Sequence, residues 1–574
     1  MDNRRIAEMF DEIADMLELE EGDHRFEIRA YRKAAINIES MQEDVEEILK
    51  KEGMRGLMEI PGIGEGLAKK IKEFVDTGKM KKYEDFKRKY PIDFDSLTRI
   101  QGLGAKRIFK LYKALKVKDV GSLKKALGSH RIKDIGGFSE RSEAEISRGL
   151  ETAEAGGGRV LLGTALPEAE AIVNKILGSG LAEKAEVAGS IRRMQETIGD
   201  IDILIVSSKK EDMMGFVAGM DEVDRVTAKG PTKTTAMLKN GMRCDFRVVD
   251  KQSFGSAMQY FTGSKDHGVA CRQIAMKKGL KLSEYGLFGK KGKPVAGETE
   301  KGVYERLGMQ YIEPEMREDR GEIALAMKHK LPALVRIDDI KGDLHVHTEY
   351  SDGMDTIEDM AMHAKELGFE YLGMSDHTKS EYVAKGMDDE KFKKYFDAID
   401  KAMDKIKGIR ILKSAEIDIL KDGSLDLKDS TMDMMDYRLA TVHMSRNMDK
   451  DEMTSRIIKA FETGYVDIWA HPTGRLINER EPLQLDLDRL FAAAKDNGVA
   501  VEIDSYPNRL DLGDESILKA RRHGLKFAID TDSHRAGHME LMRYGIGTAR
   551  RGWLEKKDVI NTLGYSDLLR AFRG

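Results

Sequence analysis

The apolar positions change period along the chain. Residues 1–20 carry an acidic, helix-type pattern. Gly56-Leu-Met-Glu-Ile-Pro-Gly-Ile-Gly-Glu-Gly-Leu-Ala-Lys-Lys-Ile-Lys-Glu-Phe74 predicts a short helix, a glycine turn at Gly62 and Gly64, and a second helix. Ser96–Leu111 repeats this with Gly102 and Gly104, and Ile132–Arg141 is a degenerate third copy. Beyond the glycine-rich hinge Glu154–Gly158, a helix over Leu166–Leu177 and a strand over Ala185–Ala188 are predicted. Ile198, Ile201 and Ile203–Val206 then form an apolar run of strand type, closed by Ser207 and Ser208. Arg243–Val249 is a second alternating, β-branched run. From Lys341 onward strands alternate with helices, the pattern of a parallel α/β arrangement.

A chain of 574 residues is too long for one core, so several domains are expected. Mean hydropathy is −0.48, and no apolar run approaches the ~18 residues of a membrane span. The acidic N-terminal stretch is unlike a signal peptide. Two cysteines, Cys244 and Cys271, exclude a disulfide framework and suggest a reducing cytoplasm. The net charge of −5 argues against a nucleic-acid partner until the chain is divided. Residues 71–127 are lysine-rich, and a local basic segment is what a phosphate backbone needs. Glycine turns let a backbone approach closely, and the helix that follows offers free N–H groups to an anion. Two such turns leading into lysines such as Lys106 therefore point to DNA phosphate.

The chemistry begins at Gly189-Ser-Ile-Arg-Arg-Met-Gln-Glu-Thr-Ile-Gly-Asp-Ile-Asp202. Side chains alternate along a strand, so Asp200 and Asp202 share a face. Two carboxylates forced together call for a divalent cation, and Mg²⁺ fills its remaining positions with water and substrate phosphate. The Gly-Ser turn and Arg193 are placed to hold that phosphate. Asp245, in the second alternating run, is a candidate third acid.

Residues 1–320 resemble DNA polymerase family X, the group of DNA polymerase beta. The glycine turns look like its helix-hairpin-helix motifs, and Arg29-Ala-Tyr-Arg-Lys-Ala-Ala35 matches its small N-terminal domain. The resemblance implies catalysis by Asp200, Asp202 and Asp245 with two Mg²⁺ or Mn²⁺ ions. It implies dNTP contacts at Ser190, Arg193, Gly199, Arg159, Tyr260, Phe261 and Gly263, and DNA contacts at Gly62, Gly64, Gly102, Gly104, Lys106 and Arg272. Gly268 departs from the motif, which has an asparagine there. Lys70 stands where lyase-competent members have a Schiff-base lysine, but Glu27 and Gly66 replace the lysines expected around it.

The C-terminal region carries Asp343-Leu-His-Val-His347, Ser351-Asp-Gly353, Ser375-Asp-His377, Ser414-Ala-Glu416, Thr441-Val-His443, Ala470-His-Pro472 and Thr531-Asp-Ser-His534. Imidazoles mixed with carboxylates suit Zn²⁺, Mn²⁺ or Fe²⁺. This region resembles the PHP (polymerase and histidinol phosphatase) domain, a distorted seven-stranded β/α barrel. That resemblance implies a site for up to three ions on His345, His347, Asp352, His377, Glu416, His443, His471, Asp532 and His534. Glu416 is the expected bridge, and Arg475 is a candidate for substrate phosphate. Water acidified by the cations would attack a phosphoester.

The expected architecture is two helical domains (1–80 and 81–150), an α+β nucleotidyltransferase palm (151–250), a nascent-base-pair subdomain (251–318), a linker (319–338) and the PHP domain (339–574). The expected function is filling of short gaps in primed double-stranded DNA from dNTPs by a cytoplasmic, nucleoid-associated monomer. The PHP site would trim 3′ ends or open abasic sites. The rivals are a polymerase-inactive phosphoesterase that holds DNA with its N-terminal half, and a non-catalytic DNA-binding scaffold.

Overall fold

The computed structural model describes every residue except 1–2, 18–23, 40–44, 61, 94–96, 98–99, 101–102, 104, 155–158 and 574. It divides into two compact units, Met1–Arg159 and Val160–Gly574.

In the first unit the helices Asn3–Leu17, Arg25–Glu39, Val45–Glu59 and Glu65–Thr77 bury one apolar face each, with Phe10 edge-on to Tyr31 at 5.3 Å. The first glycine turn forms as expected. Gly62 takes φ +89°, and Gly64 is the extended N-cap of Glu65–Thr77. The helix Ala105–Leu115 follows the second turn, whose Gly102 and Gly104 lie outside the described residues. In the third copy Gly137 sits at φ +93°, and Lys110 donates to the Gly136 carbonyl at 3.2 Å.

The second unit opens with the helix Leu162–Gly178, which starts four residues before the predicted one and encloses Pro167. Burial decides this: Leu162 and Ala165 are fully enclosed, and Leu162 N donates to Glu196 O at 3.0 Å. A five-stranded sheet follows in the order Lys184–Val187, Asp200–Val206, Arg243–Val249, Lys233–Leu238, Val223–Lys229. The strands Asp200–Val206 and Arg243–Val249 are parallel neighbours, and Asp202 pairs directly with Asp245. The helices Phe254–Thr262 and Lys265–Lys277, a three-stranded antiparallel sheet and Glu300–Arg306 come next. Gly255 lets two of these elements touch, since a Cβ there would fall 2.1 Å from the Thr299 carbonyl carbon. The segment 319–338, expected as a linker, is packed: Glu322 is fully buried against His267, and Val335 is fully buried.

The C-terminal region has parallel strands in two sheets, Gly342–Val346, Tyr371–Met374, Arg410–Lys413 and then Glu416–Asp418, Leu439–Thr441, Ile468–Trp469, Ala500–Asp504, Phe527–Asp530. Only Ser414 and Ala415 separate the third strand from the fourth, and a parallel bridge joins His377 to Glu416 across the break. The last strand returns to the first through His347 N→Ser533 O at 2.8 Å and Ser533 N→His345 O at 3.3 Å. Side chains at these strand ends are thereby brought to one place.

This region is joined to the five-stranded sheet by shared cores. Ile477, Leu510 and Tyr544 belong to the apolar cluster that holds Ile201, Ile203 and Phe246. Leu334 and Trp553 likewise pack into the cluster of Leu282 and Tyr304. Gly163 lies against Pro507, where a Cβ would come within 2.4 Å of the ring.

Candidate functional sites

The Gly189 turn is shaped around Asp202. Gly189 has φ +63°, and a Cβ on it would stand 2.6 Å from an Asp202 carboxylate oxygen. Asp202 O accepts from Ala188 N at 2.8 Å, which ties the turn to the strand. Burial, then Asp200, then Asp245 raise the Asp202 carboxyl to about 7. Such crowding of acids is what a bound divalent cation relieves, so the donor set fits the predicted ions. Burial also acts to raise Asp245, but hydrogen bonds from Thr235, Arg243 and Lys233 outweigh it and leave that carboxyl low. Arg243 Nη2 lies 3.0 Å and Lys233 Nζ 3.1 Å from it.

Ser190 lies in the short helix Gly189–Arg192, separated from the two arginines by the buried Ile191. Arg193 donates to Glu318 at 2.9 Å and to Thr262 O at 2.6 Å, and its guanidinium lies against Gly263. Arg192 makes a bidentate pair with Glu300 at 2.9 and 2.6 Å, and Glu300 also holds the buried Arg317 at 2.7 Å. Tyr260 and Phe261 meet edge to face at 5.0 Å, with Arg272 5.8 Å from the Tyr260 ring. Gly268 faces Arg272, whose guanidinium would lie 3.4 Å from a Cβ there. Gly199 precedes the strand Asp200–Val206, and Arg159 ends the other compact unit. In that unit Lys70 donates to Gly66 O at 3.2 Å and lies 5.7 Å from the Tyr31 ring. Burial lowers its pKa, with Glu27 opposing.

All nine predicted ligands of the C-terminal region converge. Glu416 is surrounded by His377 at 2.9 Å, His471 at 2.6 Å, and His345 and His443 at 3.4 Å each. Asp532 lies 3.1 Å from His347, and Asp352 lies 3.3 Å from His534 and 3.6 Å from His377. Their ligand atoms fall into overlapping groups within 4.8 Å. His345 Nε2, both ring nitrogens of His347, His377 Nδ1 and Glu416 Oε2 are buried without a hydrogen-bond partner. Orphaned donors at such density fit metal ions, for which lone pairs must stay free. Burial, together with His377 and His534 in one case and Arg509 in the other, drives His347 and His471 down to about 3. Burial acts the same way on His377 and His534, but Glu416 raises the first and Asp352 the second against it, to about 9 each.

Several neighbours carry no sequence signal. Glu502, fully buried, accepts from His345 Nδ1 at 2.6 Å and also from His471 N. Asp418 accepts from His443 N at 3.1 Å and, with Glu381 and His443, forms a further ligand-type group. Arg475 is not a wall of this cavity. It donates to Glu196 at 2.7 Å and to the carbonyls of Arg509 and Leu510, because the turn after His471 aims it at the palm. The arginines that line the cavity of ~300 Å³ are Arg446, Arg480 and Arg509. Burial and then the other two arginines lower Arg446 to about 10, whereas Arg509 is paired with Asp504 at 3.3 Å and with Asp532 at 3.5 Å.

Comparison with known proteins finds four family models that match parts of the chain. A family model described as helix-hairpin-helix domain matches residues 1–80, and a SAM-like helix-hairpin-helix tandem matches 94–152. DNA polymerase beta thumb matches 257–318, and PHP domain matches 343–506. The chain is 34% identical over 571 residues, 99% of either protein, to the DNA polymerase/3′-5′ exonuclease PolX of Bacillus subtilis (strain 168). The chain belongs to DNA polymerase family X. Its PHP domain links this family X chain to a second group: a probable phosphatase of Thermoanaerobacter sp. (strain X514) is 26% identical over 231 residues, 38% of this chain and 89% of that protein. DNA polymerase lambda of Rattus norvegicus is 25% identical over 292 residues, 45% of this chain and 48% of that protein. Among the described residues no helix is long and apolar enough to cross a membrane.

Proposed function

We infer that this family X chain is a DNA-repair polymerase that fills short gaps and carries a separate 3′-5′ exonuclease site in its PHP domain. The observation that carries both halves is the pairing of two intact ligand sets with a full-length relative: Asp202 in register with Asp245, and Glu416 among eight further ligands.

At the palm, Asp200, Asp202 and Asp245 are the carboxylates that would hold Mg²⁺ or Mn²⁺, which neutralises charge on the attacking and leaving oxygens. Ser190 and Arg193 receive the triphosphate of a dNTP. Arg193 exchanges Glu318 for phosphate in doing so, a trade between two anions that keeps its charge satisfied. Tyr260 and Phe261, with Gly263 behind them, form the wall for the sugar, while Gly199 completes the dNTP contacts. Arg272 bears on the template side. The glycine turns at Gly62, Gly64, Gly102 and Gly104, with Lys106, grip backbone phosphate without reading sequence. Lys70, with its lowered pKa, is an amine suited to Schiff-base chemistry at a 5′-deoxyribose phosphate.

In the PHP domain the nine ligands would hold up to three Zn²⁺, Mn²⁺ or Fe²⁺ ions, which supply Lewis acidity and acidify water. Glu416 lies within 3.5 Å of five of the histidines and would be the natural bridge. Glu502 fixes the tautomer of His345, leaving Nε2 free. Arg446, Arg480 and Arg509 take the phosphodiester. DNA blocked at its 3′ end is thus trimmed by one site and extended by the other.

The test is gap filling and 3′ trimming with Mn²⁺, measured side by side. Asp200→Ala abolishes extension and spares trimming, and His345→Ala does the reverse. Wild-type protein that extends no primer on gapped DNA refutes the polymerase assignment.

A further inference from the structure

The rim of the PHP cavity carries a feature that neither metal binding nor folding requires. Besides the ligands and three arginines, the cavity is lined by Glu381, Val383 and Ala384, from the loop that follows the ligand His377. The stem of this loop is fastened to the metal site. Thr378 N donates to Glu416 O at 3.2 Å, and Met387 N donates to His377 O at 2.8 Å. Ser380 N donates to the buried Asp426 at 2.7 Å. Glu381, Lys385 and Gly386 close the loop on itself with backbone bonds of 3.0–3.1 Å. Gly386 packs so close to Thr378 O that a Cβ would stand 1.9 Å from it. At the tip of this braced loop Tyr382 and Val383 are 72% and 75% exposed.

Two adjacent large apolar side chains in water contribute nothing to the core. They are also too small a patch for a protein partner, which needs roughly 800 Å² on each side. Val383 lines the cavity built for a phosphodiester and Tyr382 is its exposed chain neighbour, a position that selects a different occupant. A nucleotide whose phosphate lies among Arg446, Arg480 and Arg509 carries its base away from the cations and toward the rim. There a tyrosine ring offers the sequence-tolerant stacking that every base accepts. We propose that Tyr382, backed by Val383, is the platform on which the unpaired 3′-terminal base of DNA stacks, and that it sets the preference of the exonuclease site for frayed or mismatched ends. A paired base must leave its helix to reach the ring, and a mismatched one gives up less in doing so. The platform rests on the reading that the PHP cavity cleaves DNA at 3′ ends.

The experiment is a cycle between ring and base. Single-stranded oligonucleotides ending either in a normal nucleotide or in a base-less tetrahydrofuran residue are digested by wild type, Tyr382→Ala and Tyr382→Phe. Loss of one stacked base corresponds to roughly a 5- to 150-fold change. Wild type is expected to cleave the normal end faster by a factor in that range, mainly through KM. Tyr382→Ala is expected to lose the preference, and Tyr382→Phe to keep it. The same ratio read on duplexes should favour a 3′ mismatch over a matched pair in wild type and shrink in Tyr382→Ala. Equal preference for the base in wild type and Tyr382→Ala overturns the platform and leaves the exonuclease reading standing. A wild type inert on every 3′ end overturns the exonuclease reading itself, and the platform with it.

Discussion

Glu502 steadies two predicted ligands at once. One carboxylate oxygen accepts from His345 Nδ1 at 2.6 Å, the other from the backbone N–H of His471, and the group is fully buried. Glu502→Gln preserves volume but leaves only one accepting oxygen for two donors. The amide nitrogen must then face an N–H at a fully buried position. Losing such an outer-shell partner typically weakens metal binding 10–100-fold, about 1.4–2.7 kcal/mol. The measurement is Mn²⁺ affinity by titration in an Asp200→Ala background, so that the palm does not contribute to the count. The Gln variant is expected to bind the PHP ions 10–100-fold more weakly, and trimming activity should recover as Mn²⁺ is raised. Glu502→Leu, which can accept nothing, should be worse. Affinity in both variants equal to that of the Asp200→Ala parent refutes the role assigned to Glu502.

Three further outcomes follow from the geometry. Gly189→Ala combines a left-handed φ with a methyl 2.6 Å from an Asp202 oxygen, so it should cut gap filling severely while trimming continues; normal extension rates would contradict the close fit. Burial acts to raise the Glu300 carboxyl, but Arg317 and Arg192 outweigh it and hold it at about 2, below the ordinary 4.5. Because the folded-state value is the lower one, the stabilisation is complete above pH 4.5 and fades as pH falls toward 2; it amounts to about 3 kcal/mol. The Tm gap between wild type and Glu300→Gln should therefore narrow across that window, and a gap independent of pH would show that the charge is not what matters. Arg475→Ala should loosen the joint at Glu196 and lower Tm without changing the KM for a 3′ end, whereas a raised KM would restore it as a phosphate ligand.

Where local pattern and tertiary placement coincide, the chain can be read directly. Asp200 and Asp202 lie on one strand, and alternation alone puts them on one face. Their partner Asp245 stands more than forty residues away, and an alternating run was enough to suggest it as a neighbouring strand. In the C-terminal region ligand-type residues stand out because they recur near the ends of apolar runs, and the resemblance to the PHP domain implies the set of nine. Glu502 sits inside such a strand, but an acid in a buried strand declares no partner until the first and later strands are brought side by side. The arginines of the cavity escape a reading of the sequence for a related reason. Arg475 follows His471 closely in sequence, yet the turn between them reverses its direction, while Arg446, Arg480 and Arg509 reach the cavity from separate loops. Leu162 shows the same limit at a helix end, where burial of Leu162 and Ala165 extends the helix four residues beyond the predicted start.

The shared cores have a consequence for ancestry. Ile477, Leu510 and Tyr544 complete the apolar cluster beneath Asp200 and Asp202, and Trp553 completes the one around Tyr304. A stop codon between residues 318 and 339 would not release a free-standing polymerase. It would strip both clusters of side chains and expose their raw faces to water. Once such contacts have accumulated, a lineage can silence the PHP chemistry one ligand at a time, but discarding the domain demands a new surface first. Gene fusion here acts as a ratchet: the easy route to losing the second activity is a dead domain kept for its shape.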